Sequence, residues 1–191
     1  MQFRSVVYLM LSLIVVGCES VTDTQRVAPA PQALSSDALG YYCNMLVVNH
    51  DGPKGQIHVG DIAQPLWFAS VRDTLAFTHL PGEPKNLAAI YVNDMTGVSP
   101  GDQTWKQPSD GTWIDARHAW YVLDAPVKGG MGSPEPVPFK TEETANTFAA
   151  RFGGRVVAFA NVVADDVIGT ADAAGSTPNV NSVVQLERTE Q

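Results

Sequence analysis

One order of segments occurs twice along this chain: strand, loop, short strand, helix, strand. The first copy spans Tyr41 to Asn93 and the second Trp120 to Ala160. In the first, the aromatic and β-branched run Tyr41 to Val48 precedes a polar turn with Gly52-Pro53 and Gly55. A second short strand, Gln56 to Val59, follows, so the stretch from Tyr41 to Val59 reads as a β-hairpin. Pro65 suits a first helical turn, and the spacing predicts a helix over 65–78. Leu87 to Asn93 reads as a buried strand. In the second copy a strand at 118–123 and a flexible loop, Gly129-Gly130-Met131-Gly132, precede an edge strand at 136–139, where proline is tolerated. Thr141 then caps a helix with acidic residues in its first turn. Gly153-Gly154 end that helix, and 156–160 form the last strand. Residue identity between the copies is slight, so the repeat is one of architecture. It implies an α+β fold of two ββαβ halves, each a small sheet packed with one helix.

The two ends read differently. Arg4 and the apolar run Val6 to Val16 form a targeting segment too short to cross a membrane comfortably. It ends in Val15-Val16-Gly17-Cys18, which resembles a bacterial lipobox, so Cys18 is the expected lipidation site and 1–17 the lipoprotein signal peptide. Residues 18–38, rich in Thr, Ser, Gln, Pro and Ala, read as a flexible tether. The folded domain is expected over 39–164, with halves at 39–95 and 118–162, and 165–191 as a disordered tail. A lipidated Cys18 implies the periplasmic face of the cell envelope, on the outer membrane rather than the inner.

The formal net charge of -8 argues against a nucleic-acid partner. The sequence has no Gly-rich phosphate loop of the usual spacing, no serine nucleophile elbow and no Cys-x-x-Cys pattern. His79 and His118 lack metal-ligand spacing, and Asp165-Asp166 reads as a solvated patch. Of the 2 cysteines, lipidation of Cys18 leaves Cys43 alone in a compartment where thiols normally pair. In a strand, Cys43 and Met45 point to the same face, so a thiol and a thioether lie side by side, a pair suited to a soft ion such as Cu(I). Antiparallel pairing puts His58 opposite Met45 or Val47 as a third ligand. His50, in the turn, competes for that place. Met131 is a further candidate, because its glycine loop occupies the position that the His50-to-Gly55 turn has in the first half. Met95, Trp67 and Phe68 are expected in the core, with Trp105 and Trp113 pinning the loop 96–114. Two other readings stand beside a metal site. One is an enzyme with Cys43 as nucleophile and His58 or His50 as base. The other is a binding module for an organic ligand or protein in which Cys43 is merely buried.

Four segments together carry a resemblance. Cys43-Asn44-Met45, Gly52-Pro53-Lys54-Gly55-Gln56-Ile57-His58, Ile90-Tyr91-Val92-Asn93-Asp94-Met95 and Gly129-Gly130-Met131-Gly132 resemble the NosL family. These are copper-binding lipoproteins that assist assembly of the copper sites of nitrous oxide reductase. The resemblance covers most of the chain from Tyr41 to Ala160. It implies a two-half ββαβ fold, Cu(I) held by Cys43 and Met45, and a non-enzymatic chaperone. The implied acceptor is the membrane-associated nitrous oxide reductase maturation complex, approached from a lipid-anchored position on the membrane.

Overall fold

The computed structural model describes residues 27–60 and 62–168. The expected signal peptide, Cys18 and the tail beyond residue 168 lie outside the described residues. The first half contains β1 (Gly55–Val59), β2 (Leu66–Phe68), α1 (Val71–His79) and β3 (Leu87–Asn93). A connection with α2 (Gln103–Lys106) and β4 (Trp113–Asp115) follows. The second half contains β5 (Trp120–Leu123), β6 (Val137–Phe139), α3 (Glu142–Phe152) and β7 (Arg155–Ala158), and α4 (Ala164–Val167) closes the described chain. The sheets are antiparallel, with strand orders β2-β1-β3-β4 and β6-β5-β7. Each half therefore places its first strand between its second and third. Two small sheets with helices make the expected α+β fold, and both halves are ββαβ.

The halves share buried surface through β5. Tyr121 and Leu123 belong to the core formed by β1, α1 and β3, whereas Val122 belongs to the core under α3. Successive side chains of a strand face opposite ways, so a strand covered on both faces is apolar without alternation. The one polar atom that Tyr121 carries inward is satisfied, its hydroxyl donating to Ala116 O at 2.7 Å.

The first strand of the first half lies later than the sequence suggests. Tyr41 to Asn49 is a tight turn followed by a single 3-10 turn, Val47–Asn49, not half of a hairpin. Asn44 takes a left-handed φ of 53°, and Gly40 N donates to Met45 O at 2.9 Å, so the chain doubles back within five residues. β1 instead takes β2 and β3 as its two antiparallel partners, which leaves it no edge for the Tyr41–Val48 run. The expected helix over 65–78 also divides. Leu66–Phe68 is a strand, and Ser70, whose hydroxyl accepts from Asp73 N at 3.1 Å, starts α1 after it. Leu87–Asn93 and Glu142–Phe152 fall where they were expected, with Thr141 capping the latter and Gly153 ending it at φ 82°.

The ends of the folded part extend further than 39 and 164. The backbone NH of Gln32 donates to Gln56 Oε1 at 2.8 Å while Gln56 Nε2 donates to Gln32 O at 2.9 Å. Tyr91 Oη donates to Pro29 O at 2.6 Å, and Leu34 N to Asp110 Oδ1 at 2.9 Å. At the other end Val167 is 1% exposed within the core, and Arg72 Nε donates to its carbonyl at 2.7 Å. Asp166 is not a solvated patch: it pairs with Arg155 and accepts from Val163 N at 2.9 Å.

Candidate metal centre

The Cys43 turn hangs on the free edge of β2. Gly40 bridges Trp67, and Tyr41 N donates to Trp67 O at 2.7 Å. Within the turn Asn44 N donates to Gly40 O at 2.8 Å. Cys43 is half-buried, and its sulfur folds back over Gly40: a Cβ at that glycine would stand 2.5 Å from Sγ. Met45 is 45% exposed. A thiol and a thioether one residue apart thus sit on an ordered, accessible turn, though bent around Asn44 instead of standing one pleat apart.

The other candidates separate cleanly. His58 lies within β1, with Ala89 as its register partner instead of Met45 or Val47. It is buried, its Nε2 lies 3.1 Å from Gln56 Oε1, and its ring meets Tyr91 edge-on at 5.9 Å. Burial pushes its pKa down. The register that set His58 opposite Met45 or Val47 is therefore replaced by pairing with β3.

His50 and the Met131 loop come together. His50 Nδ1 lies 3.0 Å from Gly130 O, so the imidazole donates there and carries its Nδ1 proton. Its Nε2 is buried without a hydrogen-bond partner. A Cβ at Gly130 would collide with His50 Cβ and stand 2.8 Å from Asp51 O, so only glycine permits this approach. Gly132 N donates to Gly129 O at 2.9 Å, closing a turn that presents Met131, 40% exposed. The second half therefore delivers its glycine loop to the His50 turn of the first, as the repeat suggested.

The motif Gly52 to His58 builds the support beneath these turns. Gly52 takes φ 92° and its NH donates to Trp105 O at 3.0 Å. Lys54 is buried, and its ammonium donates to His50 O at 2.6 Å and Gly52 O at 2.5 Å. Its charge faces Glu135, the fully buried carboxylate of the second half, which accepts from Val71 N at 2.6 Å. Burial pulls the Lys54 pKa down to about 8 and pushes the Glu135 pKa up to about 8, each opposed by the other's charge. Gly55 lets α1 approach, since a Cβ there would collide with the Thr74 side chain. Sequence reasoning missed Gly40, Lys54 and Glu135. Gly40 carried a local signal, a glycine three residues before a cysteine. Glu135 carried none, because its partners come from α1 and from Lys54.

Among the described residues no group of three or more His, Cys, Asp or Glu side chains is placed to hold a metal ion. Met45 and Met131 present exposed thioether sulfurs on these turns. Thiolate with thioether suits a soft monovalent ion and suits hard divalent ions poorly. Met95, by contrast, is fully buried and stays core, as expected.

The NosL family model matches residues 31–167. The copper-binding lipoprotein NosL of Achromobacter cycloclastes is 39% identical over 163 residues, covering 83% of this chain and 80% of that protein. The copper-binding lipoprotein NosL of Stutzerimonas stutzeri is 29% identical over 155 residues, covering 81% and 76%. The crystal structure of the copper chaperone NosL from Shewanella denitrificans superposes with a TM-score of 0.63 at 30% identity, covering 70% of this chain and 96% of that one. Matched by the family model over most of its length, this chain belongs to the NosL family.

Proposed function

We propose that this protein binds Cu(I) as cargo through Cys43, Met45 and Met131, and delivers it to the machinery that assembles nitrous oxide reductase. One observation carries the reading: an exposed turn holds Cys43 and Met45, while Gly130 locks the Met131 loop against the adjoining His50 turn. The names of the relatives support copper as the metal. A carrier must hold its ion against competing sites and still release it. Accessible thioethers around one thiolate let an acceptor's ligands enter and replace them in turn. The role is non-enzymatic. The names of the relatives, copper-binding lipoprotein and copper chaperone, favour that reading over a Cys43 nucleophile with a histidine base.

Lipid on Cys18 holds the domain at the periplasmic face of the envelope, on the outer membrane by preference, within access of a membrane-associated acceptor. Anaerobic competition against a Cu(I) chelator tests the metal reading. One tight site per monomer is expected, lost in Cys43→Ser. Two equal tight sites, or preference for magnesium or calcium, overturn it. Fatty-acid labelling of the wild type that disappears in Cys18→Ala tests the anchor, and retained label in that variant refutes it.

A further inference from the structure

Glu83, in the turn after α1, reaches the metal turn without belonging to its ligand set. Its two carboxylate oxygens accept one hydrogen bond each, from Tyr41 Oη at 3.1 Å and from Tyr42 Oη at 2.9 Å. These tyrosines immediately precede Cys43. Their rings are seated on the core: Tyr41 lies 5.8 Å from Phe68 and 5.5 Å from Phe77, and Tyr42 lies 5.7 Å from Phe68. The two rings also meet each other at 5.0 Å in an edge-to-face arrangement. Each side chain is thus held at both ends, ring on the core and hydroxyl on one shared carboxylate. The turn that carries Glu83 has its own support. Glu83 N donates to Leu80 O at 3.3 Å, and Lys85 Nζ donates to Leu80 O at 2.6 Å and Thr78 O at 3.1 Å.

We propose that Glu83 is a positioning residue for the copper ligands, clamping Tyr41 and Tyr42 so that Cys43 and Met45 are set in their bound geometry before the ion arrives. This rests on the reading of Cys43 and Met45 as copper ligands. A soft ion with two or three donors imposes little order on a loop by itself. A turn that must be ordered on binding loses affinity to that ordering, and one already ordered does not. The clamp also explains why two exposed tyrosines point along the surface to one acidic residue instead of into solvent. Their hydroxyls remain donors at neutral pH. Hydrogen bonding to Glu83 raises the Tyr41 pKa, and burial followed by the Glu83 bond raises that of Tyr42.

The test uses the folded protein loaded with Cu(I) and follows anaerobic release to a Cu(I) chelator. Glu83→Ala should speed release about five-fold, the scale of losing one or two modest hydrogen bonds. Glu83→Gln, which keeps an acceptor and a donor at the same place, should restore release to near the wild-type rate. Tyr41→Phe with Tyr42→Phe should match Glu83→Ala, and adding Glu83→Ala to that pair should change nothing more. A metal-free unfolding midpoint that falls while release stays unchanged would make Glu83 structural only and overturn the proposal. If Glu83→Ala does not fold, the tyrosine pair, which retains both rings, decides the matter: faster release supports the clamp and an unchanged rate overturns it. Cys43→Ser releasing copper at the wild-type rate would instead overturn the copper reading on which the clamp depends.

Discussion

Gly40 lets the Cys43 sulfur lie against the backbone, a close approach that any other residue would prevent. A methyl there meets only a side-chain sulfur, which can swing away. Gly40→Ala should therefore leave the unfolding midpoint nearly unchanged while weakening Cu(I) binding, as read by chelator competition. Equal weakening of both would show the glycine to be purely structural. Among the proposed ligands, Cys43→Ser should weaken binding most, since it removes the only anionic soft donor of the set. Met45→Leu, of similar volume and at an exposed position, should weaken it less and leave the fold intact. His58→Ala should not change Cu(I) affinity, because His58 is buried in β1 opposite Ala89 and not paired with Met45; a ten-fold loss would return it to the ligand set. The sequence placed Cys43 and Met45 on one local segment, and the structure puts that segment in a turn instead of a strand. Asn44, a residue that tolerates left-handed backbone, is the signal for a turn instead of a strand.

Each element of the two ββαβ units was foreseeable as a type, and the errors fall at boundaries that one side chain decides. Ser70 ends β2 and begins α1 by capping Asp73 N. Leu66 and Ala69 happen to fit a helical stripe, which hid the strand before the cap. Ser70→Ala should cost about 1 kcal/mol in chemical denaturation, the usual worth of such a cap. The register of β1 was not legible, because strand pairing depends on which edges remain free once the whole sheet forms. The glycine loop of the second half shows the opposite case. Its likeness in position to the His50 turn suggested that Met131 approaches the first half, and Gly130 does touch His50. Gly130→Ala should force that contact open, lowering both the unfolding midpoint and Cu(I) affinity. His50→Asn, which keeps a donor at the δ position, should preserve affinity better than His50→Ala. The reverse order would mean that Nε2, not the hydrogen bond, is what copper needs.

Across the whole molecule, the junction of the halves rests on Lys54 and Glu135, with Asp51 and Asp73 as the other charges acting on them. Burial raises the Glu135 pKa from 4.5 to about 8, so the folded state holds its proton more tightly than the unfolded chain. Its contribution is full below about pH 4.5 and declines as pH rises toward 8. Glu135→Gln removes that decline, so urea midpoints at pH 5 and pH 8 should favour the variant more at pH 8. A constant difference between wild type and variant would show that Glu135 does not titrate in this window. No local pattern announces such a pair, since it is assembled from the turn before β1, α1 and the loop before β6. The same long-range logic applies to the stretch before residue 39, whose composition suggested a loose tether. Its bonds from Pro29 and Gln32 to the first sheet shorten the leash. From an anchor at Cys18, the roughly 11 peptide links to Pro29 could span at most about 40 Å. On such an anchor the attachment point at Pro29 could not stray beyond that reach of the lipid, and an acceptor would have to meet the domain near the membrane surface.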